Sequence, residues 1–431
     1  MKNIAVLGLG FVGLPLSLTY AMHGKKVYGI DINSEYIEDL KKYKTHIVEK
    51  YKGETIEKIL ENTIKKGLFV PTHSVKEGLK NADKIIVTVG IPITNGALQK
   101  EIFNAAIKSV GKNLKKGDLV LIRSTVPPGT TREVVLPILE KESKLKCSKD
   151  FYLAYSSERI AEGKAFEEFQ TMPVAVAGID KKSTNKAYKL LKIINKENII
   201  VATEPEVVEI AKLIENSSRD VNIALSNELA SLTEKMDIDT VEVINVANTH
   251  KRVHLLKPGI GVGGHCIPYS SLYIFDKTDK MKLPMEILHT VREVNQQRPR
   301  NILNCLESTL KKIGKEVEHS KFAILGIAMK DNSPDTSESP AMRLKDLILQ
   351  SGGEVNWFDP NVTGNFPLKR NNIQETVKDA DVIILPIKQG NIKIEPRKWK
   401  SLTKKNAIIF DARRLIDKEK AKKLGFIYIR L

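Results

Sequence analysis

Short apolar runs separated by polar, helix-compatible stretches recur along the 431-residue chain. Asn3 to Leu7 is a β-rich run, Gly8 opens a turn, Leu14 to His23 carries a helical pattern, and Val27 to Ile30 reads as a second strand. Together they make one βαβ unit. Further apolar runs at Lys84 to Val89, Leu119 to Arg123 and Tyr152 to Tyr155 predict strands alternating with helices, as in a buried parallel sheet. The first domain is expected to cover residues 1–200.

Thr203-Glu204-Pro205-Glu206 resembles a capping box, with Thr203 at the N-cap and Glu206 placed to reach back to it. Neither Pro nor Gly interrupts the chain from Glu206 to Met236, enough for roughly 45 Å of helix at about 1.5 Å per residue. Such a helix can link domains and serve as a dimer seam, so residues 201–310 are expected to form a central helical domain. Beyond the polar Lys311 to Ser320 segment, a strand at Phe322 to Gly326, a helix near Ala341 to Gln350 and a strand at Val355 to Asp359 echo the first unit. Asn81 to Val87 has a counterpart in Asp379 to Leu385. The predicted architecture is α/β: two doubly wound, Rossmann-like domains, the second over residues 311–431, joined by a central helical region with one long helix.

Composition narrows the class. A chain with 42% hydrophobic and 28% charged residues is a soluble globular protein, not collagen-like, mucin-like or wholly disordered. Lys and Arg number 69 against 52 Asp and Glu, a net charge of +17 that favours an anionic partner. That charge is spread along the chain without an aromatic RNA-binding motif or zinc finger, so nucleic acid is not the expected partner. Cys147, Cys266 and Cys305 form no Cys-x-x-Cys pair, which argues against a disulfide framework and a zinc site; no metal is expected. Ile4 to Met22 imitates a signal-peptide core, but glycines and Pro15 interrupt it and no small-residue cleavage site follows. The expectation is a cytoplasmic protein that does not span a membrane.

Gly8-Leu9-Gly10-Phe11-Val12-Gly13 lies between a strand and a helix, where glycines permit a tight turn and the approach of a pyrophosphate to the helix N-terminus. Asp31 ends the next strand, placed to accept from a ribose diol and to repel a 2′-phosphate, so NAD is expected over NADP. The C-terminal unit retains only Gly326 of such a fingerprint; a second dinucleotide site is not expected, though its strand ends can hold a sugar nucleotide. Lys257 to Cys266 contains four glycines, which let backbone amides approach a ligand, and a thiol directly after them is accessible for nucleophilic chemistry. Cys147 and Cys305 lack that context and read as structural, as does His265. Lys212, Asn216 and Arg219 share one helix face, as a site or as a solvated polar stripe. Ser124-Thr125-Val126-Pro127-Pro128-Gly129 follows a strand end and by itself is no more than a turn able to present Thr125.

Taken with Glu158-Arg159-Ile160-Ala161-Glu162-Gly163 and with Gly326-Ile327-Ala328-Met329-Lys330 leading to Ser339-Pro340, these motifs resemble the UDP-glucose/GDP-mannose dehydrogenase family over nearly the whole chain. The resemblance implies a four-electron oxidation of a nucleotide sugar at C6 with two NAD and water. Cys266 would trap the aldehyde as a thiohemiacetal that is oxidised to a thioester and hydrolysed. It further implies that Lys212 and Asn216 stabilise oxyanions, Thr125 positions water beside the cofactor and Glu158 assists proton transfer. Arg159, Ile160, Arg219, His250 and Gly263 would line the sugar nucleotide, Lys330 and Arg413 would take its phosphates, and Arg252 would enter from a neighbouring subunit of a homodimer or higher homo-oligomer.

His250 to Gly259 looks like the corresponding segment of UDP-N-acetyl-mannosamine dehydrogenases, and Glu158-Arg159-Ile160 is closer to N-acetylhexosamine enzymes than to UDP-glucose enzymes. The expected product is therefore UDP-N-acetyl-D-mannosaminuronate. UDP-glucose and UDP-N-acetyl-glucosamine are the alternative substrates. Three positions depart from the family: Ser270 stands where an Asp is usual, Ser337 where an Arg is common, and Val89-Gly90-Ile91-Pro92 replaces Val-Pro-Thr-Pro. A nucleotide-sugar binding protein with impaired turnover is the competing class.

Overall fold

The computed structural model describes residues 3–94 and 96–431. The chain divides into two compact units, Met1–Glu215 with Leu272–Leu283, and Asn216–Ser271 with Pro284–Leu431.

The first unit is built on eight strands: β1 (Asn3–Leu7), β2 (Val27–Ile30), β3 (Phe69–Thr72), β4 (Ala82–Val87), β5 (Leu119–Ile122), β6 (Tyr152–Tyr155), β7 (Val174–Gly178) and β8 (Ile199–Val201). They lie in the order β8-β7-β6-β5-β4-β1-β2-β3. The six strands from β3 to β6 run parallel, in the strand order of a dinucleotide-binding sheet. β7 departs from the all-parallel expectation by pairing antiparallel to β6, with Ala154 opposite Gly178. On β1, Ile4 and Val6 enter one apolar core while Ala5 and Leu7 enter the other. Burial on both faces explains why this strand is a continuous apolar run without alternation.

The second unit carries β9 (Lys321–Leu325), β10 (Glu354–Phe358), β11 (Val382–Leu385), β12 (Ile408–Asp411) and β13 (Ile427–Arg430), all parallel in the order β10-β9-β11-β12-β13. Phe322 and Ile324 face one core and Ala323 and Leu325 the other, repeating the two-sided burial of β1. Two doubly wound sheets are thus present, as the strand patterns predict.

Helix α1 (Gly13–Met22) follows β1. The long helix α2 (Pro205–Lys235) crosses from the first unit to the second between Glu215 and Asn216. Four further helices matter to the site: α3 (Thr240–Ala247), α4 (Cys266–Thr278), α5 (Glu286–Lys312) and α6 (Pro340–Gln350). Helix α2 starts at Pro205, which puts Glu204 and not Thr203 directly before its first residue. Pro205 is the first helical residue, where its missing N–H costs nothing, and the Glu206 carboxylate accepts from Arg132 Nε at 2.7 Å instead of reaching back. In the second unit a buried polar group pins α2 to α5. Asp220 accepts from Arg292 Nη1 at 2.6 Å and from Asn295 Nδ2 at 2.7 Å. Among the described residues no helix is long and apolar enough to cross a membrane.

Candidate active site

In the first unit the β1–α1 turn has the shape of a dinucleotide cradle. Gly8 adopts φ +91°, a region costly for any residue with a Cβ, and a Cβ on Gly13 would lie 1.7 Å from the Gly8 carbonyl oxygen. A Cβ on Gly10 would meet nothing within 4 Å, so that position faces open space. Thr88 Oγ1 closes the turn from β4, donating to the carbonyls of Leu7 and Gly8. Helix α1 has no side-chain N-cap and no acidic residue in its first turn. Its first amides and positive dipole end are therefore available to an anion.

Asp31 stands just past β2. One oxygen accepts from Leu9 N at 2.9 Å and the other from Asn33 N at 3.0 Å, which fixes the carboxylate beside the glycine turn. Phe11 is exposed, with its ring edge-on to His46, and Val12 is half-buried against the core. These features fit NAD: a tight turn, an uncapped helix end and an anchored carboxylate on the second strand.

Thr125 follows β5 and is half-buried. Its loop is tied down by Glu209 of α2, whose fully buried carboxylate accepts from Gly129 N at 2.6 Å and from Thr131 N and Oγ1 at 2.9 and 2.6 Å. Burial pushes the Glu209 carboxyl above its ordinary range, opposed by those hydrogen bonds. Lys212 lies on the same helix three residues further on and is half-buried.

Glu158 is held from two sides. Its Oε1 accepts the amides of Arg159 at 2.7 Å and Ile160 at 3.1 Å, while Oε2 pairs with the buried Arg123. Arg159 turns to the Pro173 carbonyl at 3.1 Å and pairs with Glu215. Ile160 packs on the core.

In the second unit Cys266 is exposed and is the first residue of α4. Asn216 donates its side-chain amide to Ser270 Oγ, and Ser270 in turn donates to the Cys266 carbonyl. The structure thus groups Asn216, Ser270 and Cys266. His265 sets its ring against Tyr269, with centroids 5.9 Å apart. Cys147 and Cys305 are partly buried, and burial raises both thiols, Cys305 to about 12.

Three of the four loop glycines are also required by packing within the chain. A Cβ on Gly261 would touch Pro340 at 3.0 Å, one on Gly263 would meet the Glu338 carbonyl oxygen at 2.9 Å, and one on Gly264 would meet Met329 Cε at 2.9 Å. On the side where a Cβ would stand, space at these three positions is taken by the protein's own chain, whereas a Cβ on Gly259 would meet nothing within 4 Å.

Arg252 and His250 are exposed at the start of a segment laid along α2 by side-chain to backbone bonds. Asn222 donates to His254 O at 2.6 Å and accepts from Leu256 N at 2.7 Å. Ser226 donates to Leu256 O, and Asn227 accepts from Gly259 N. Arg219 is exposed. Arg413 is held by Asp331 through Nε at 3.0 Å and Nη2 at 2.7 Å, and Lys330, next to Asp331, is exposed.

Sequence reasoning missed Arg123 and Glu209. A charged residue at the buried end of a strand was the available signal for Arg123; nothing local marks Glu209, whose partners lie 78 and 80 residues away.

Three family models match in succession: the NAD binding domain of the UDP-glucose/GDP-mannose dehydrogenase family at residues 2–197, its central domain at 206–297 and its UDP binding domain at 323–418. A UDP-N-acetyl-D-mannosamine dehydrogenase of Pyrococcus horikoshii is 34% identical over 428 residues, 99% of this chain and 98% of the relative. The solved structure of a UDP-D-ManNAc dehydrogenase from that organism superposes with a TM-score of 0.91 at 32% identity, covering 100% of this chain and 99% of the other. An NDP-N-acetyl-D-galactosaminuronic acid dehydrogenase from Methanosarcina mazei gives 0.89 at 29% identity, covering 100% and 95%. With the cradle, the anchored Asp31 and the exposed thiol in place, the chain belongs to the UDP-glucose/GDP-mannose dehydrogenase family, and with it to the NAD-dependent oxidoreductases.

Proposed function

We propose that this enzyme oxidises UDP-N-acetyl-D-mannosamine at C6 to UDP-N-acetyl-D-mannosaminuronate by a covalent route. The observation that carries the route is Cys266, an exposed thiol at the first residue of a helix, whereas the other two cysteines are partly buried. The choice of sugar rests on the relatives named above and on the His250 to Gly259 segment. Residues 1–200 bind the cofactor, 201–310 carry the thiol loop, and 311–431 bind the nucleotide.

Bound NAD, held by Gly8, Gly10, Phe11, Val12, Gly13, Asp31 and Thr125, supplies the hydride acceptor for both oxidations. The chain's own groups do the rest. Cys266 Sγ attacks the C6 aldehyde to give a thiohemiacetal, and the derived thioester is hydrolysed by water, which frees the thiol and the carboxylate. Lys212 and Asn216 offer donors to the C6 oxyanion. Asn216 is pre-oriented for this by its bond to Ser270. Thr125 holds the water, and Glu158, fixed by Arg123 and two amides, takes the proton. Arg159, Ile160, Arg219, His250, Arg252 and Gly263 contact the sugar nucleotide, and Lys330 and Arg413 its phosphates.

The working form is a cytoplasmic homodimer. Val207, Ile210, Ile214, Leu225 and Leu232 are exposed on α2 and Met236 just past its end, more apolar surface than a solvated helix carries. A second copy of that helix covers it.

NADH formation with UDP-N-acetyl-mannosamine, UDP-N-acetyl-glucosamine and UDP-glucose tests the reading. Two NADH per UDP-N-acetyl-mannosamine and a uronate product are expected. A preference for either other sugar overturns the substrate, and no turnover with any of the three favours the impaired binding protein.

A further inference from the structure

The thiol loop is gripped by one short corner of the chain, Ser337 to Pro340. Gly264 N donates to Ser337 O at 2.9 Å, and Gly261 and Gly263 lie flush on Pro340 and the Glu338 carbonyl. Glu338 adopts φ +49°, the left-handed region that residues with a Cβ disfavour. Its neighbours hold it there: Ser339 caps α6, accepting from Ala341 N, and donates to the Ile327 carbonyl at 2.7 Å. The conformation sends the carbonyl of Glu338 toward the glycine loop. Its carboxylate meets two side chains at once: Tyr269 Oη donates to Oε1 at 2.8 Å and Arg343 pairs with Oε2. Tyr269 is on the first turn of the helix that begins at Cys266, and Arg343 is on the first turn of α6.

We propose that Glu338 is a positioning residue for Cys266, its carboxylate bridging Tyr269 to Arg343 and so seating the first turn of the thiol-bearing helix on the Ser337 to Pro340 corner. This inference rests on Cys266 being the nucleophile of the proposed reaction. The protonation states suit a permanent bridge. Burial and the bond to Glu338 raise the Tyr269 phenol to about 12, so it remains a donor. Partial burial disfavours the Glu338 anion, but Tyr269 and Arg343 outweigh it and hold the carboxyl below its usual range. Backbone strain at Glu338 is maintained by surrounding contacts, as strained residues beside reactive groups commonly are. The bridge also accounts for His265, whose ring rests on Tyr269 and so belongs to this support.

The test compares full-length wild type with Glu338→Gln, which keeps volume and removes charge, and with Tyr269→Phe, which leaves the corner's backbone untouched. Hydrogen exchange at Gly264 and the rate of Cys266 carboxymethylation read the seating without any substrate. Exchange about tenfold faster at Gly264 in both variants, confined to residues near 261–270, is expected. A matching change in alkylation and no further effect in the double variant are also expected. kcat falls in both variants while the KM for NAD stays within about twofold. Exchange and alkylation within about twofold of wild type, or faster exchange spread over the whole second unit, overturn the proposal. Should Glu338→Gln fail to fold, Tyr269→Phe decides alone. An enzyme that turns over no UDP-sugar refutes the proposed reaction, yet the two substrate-free measurements still decide whether Glu338 seats the thiol.

Discussion

Asn216 Nδ2 and Ser270 Oγ lie 2.8 Å apart, and the serine passes the contact on to the Cys266 carbonyl at 2.7 Å. An amide and a hydroxyl, both neutral, thus set the rotamer of Asn216 where an acidic side chain is usual in the family. Ser270→Ala removes the acceptor and leaves Asn216 only a marginal 3.5 Å contact with Cys266 O. A loss of about 1 kcal/mol, or roughly five- to tenfold in kcat, is expected with KM for NAD unchanged. Steady-state NADH kinetics check it, and an unaltered kcat removes the serine from the site's support.

Cys266→Ser abolishes release of the uronate. The alkoxide is a scarcer nucleophile than a thiolate at neutral pH, and an ester hydrolyses more slowly than a thioester. Product analysis by mass spectrometry decides, and wild-type uronate output from the serine variant takes the thiol out of the mechanism.

Asp31 makes NAD preferred over NADP, because a carboxylate whose oxygens are already anchored by Leu9 N and Asn33 N repels a 2′-phosphate from a fixed position. Asp31→Asn is expected to narrow the ratio of kcat/KM values at least about tenfold. Equal efficiency with both cofactors in the wild type contradicts this assignment.

Acid sensitivity has a specific source. Asp239 caps α3 and accepts from both Arg414 and Arg430, and Arg414 foremost holds its carboxyl well below the ordinary value of 3.8. A depressed folded-state pKa contributes stability that is complete above the unfolded value, begins to be lost as pH falls below about 4, and is gone only once pH has fallen through the folded value. Urea unfolding at pH 7 and at about pH 3 should show Asp239→Asn less stable than wild type at the higher pH, with a gap that narrows at the lower pH without closing. An equal gap at both pH values assigns the loss to packing.

The apolar stripe on α2 predicts a self-association seam. Leu225→Glu combined with Leu232→Glu should yield monomers in sedimentation velocity, since a charge on each copy cannot be desolvated in a packed interface. Mixing Arg252→Ala with Cys266→Ser subunits should restore partial activity if the arginine and the thiol of one site come from different chains. Recovered activity in the absence of subunit exchange, or none despite demonstrated exchange, counts against the shared site.

Legibility in the sequence followed the range of the interaction. β1, the glycine turn and Asp31 are local: period, spacing and turn chemistry fix them within about thirty residues, and they stand where the pattern puts them. The length of α2 was legible because a run without Pro or Gly is itself the signal. Its cap was not, since Arg132 draws Glu206 away across 74 residues. The purpose of the loop glycines was hidden for the same reason. Gly263 and Gly264 read only as clearance for a ligand, yet on their Cβ side Met329, Glu338 and Pro340, some 65 to 77 residues later, fill the space. The antiparallel β7 left no trace either, because a strand buried on both faces has the same composition in either direction.

Glu209 has a dynamic consequence. A buried carboxyl group satisfied by Gly129 and Thr131, at the start of the helical segment after Thr125, cannot let go of them without being left desolvated and unpartnered. The Thr125 loop and the stretch of α2 that bears Lys212 therefore fluctuate as a single lever: a tilt of the helix carries the loop with it. Their thermal displacements should be correlated, whatever either residue does independently at its tip.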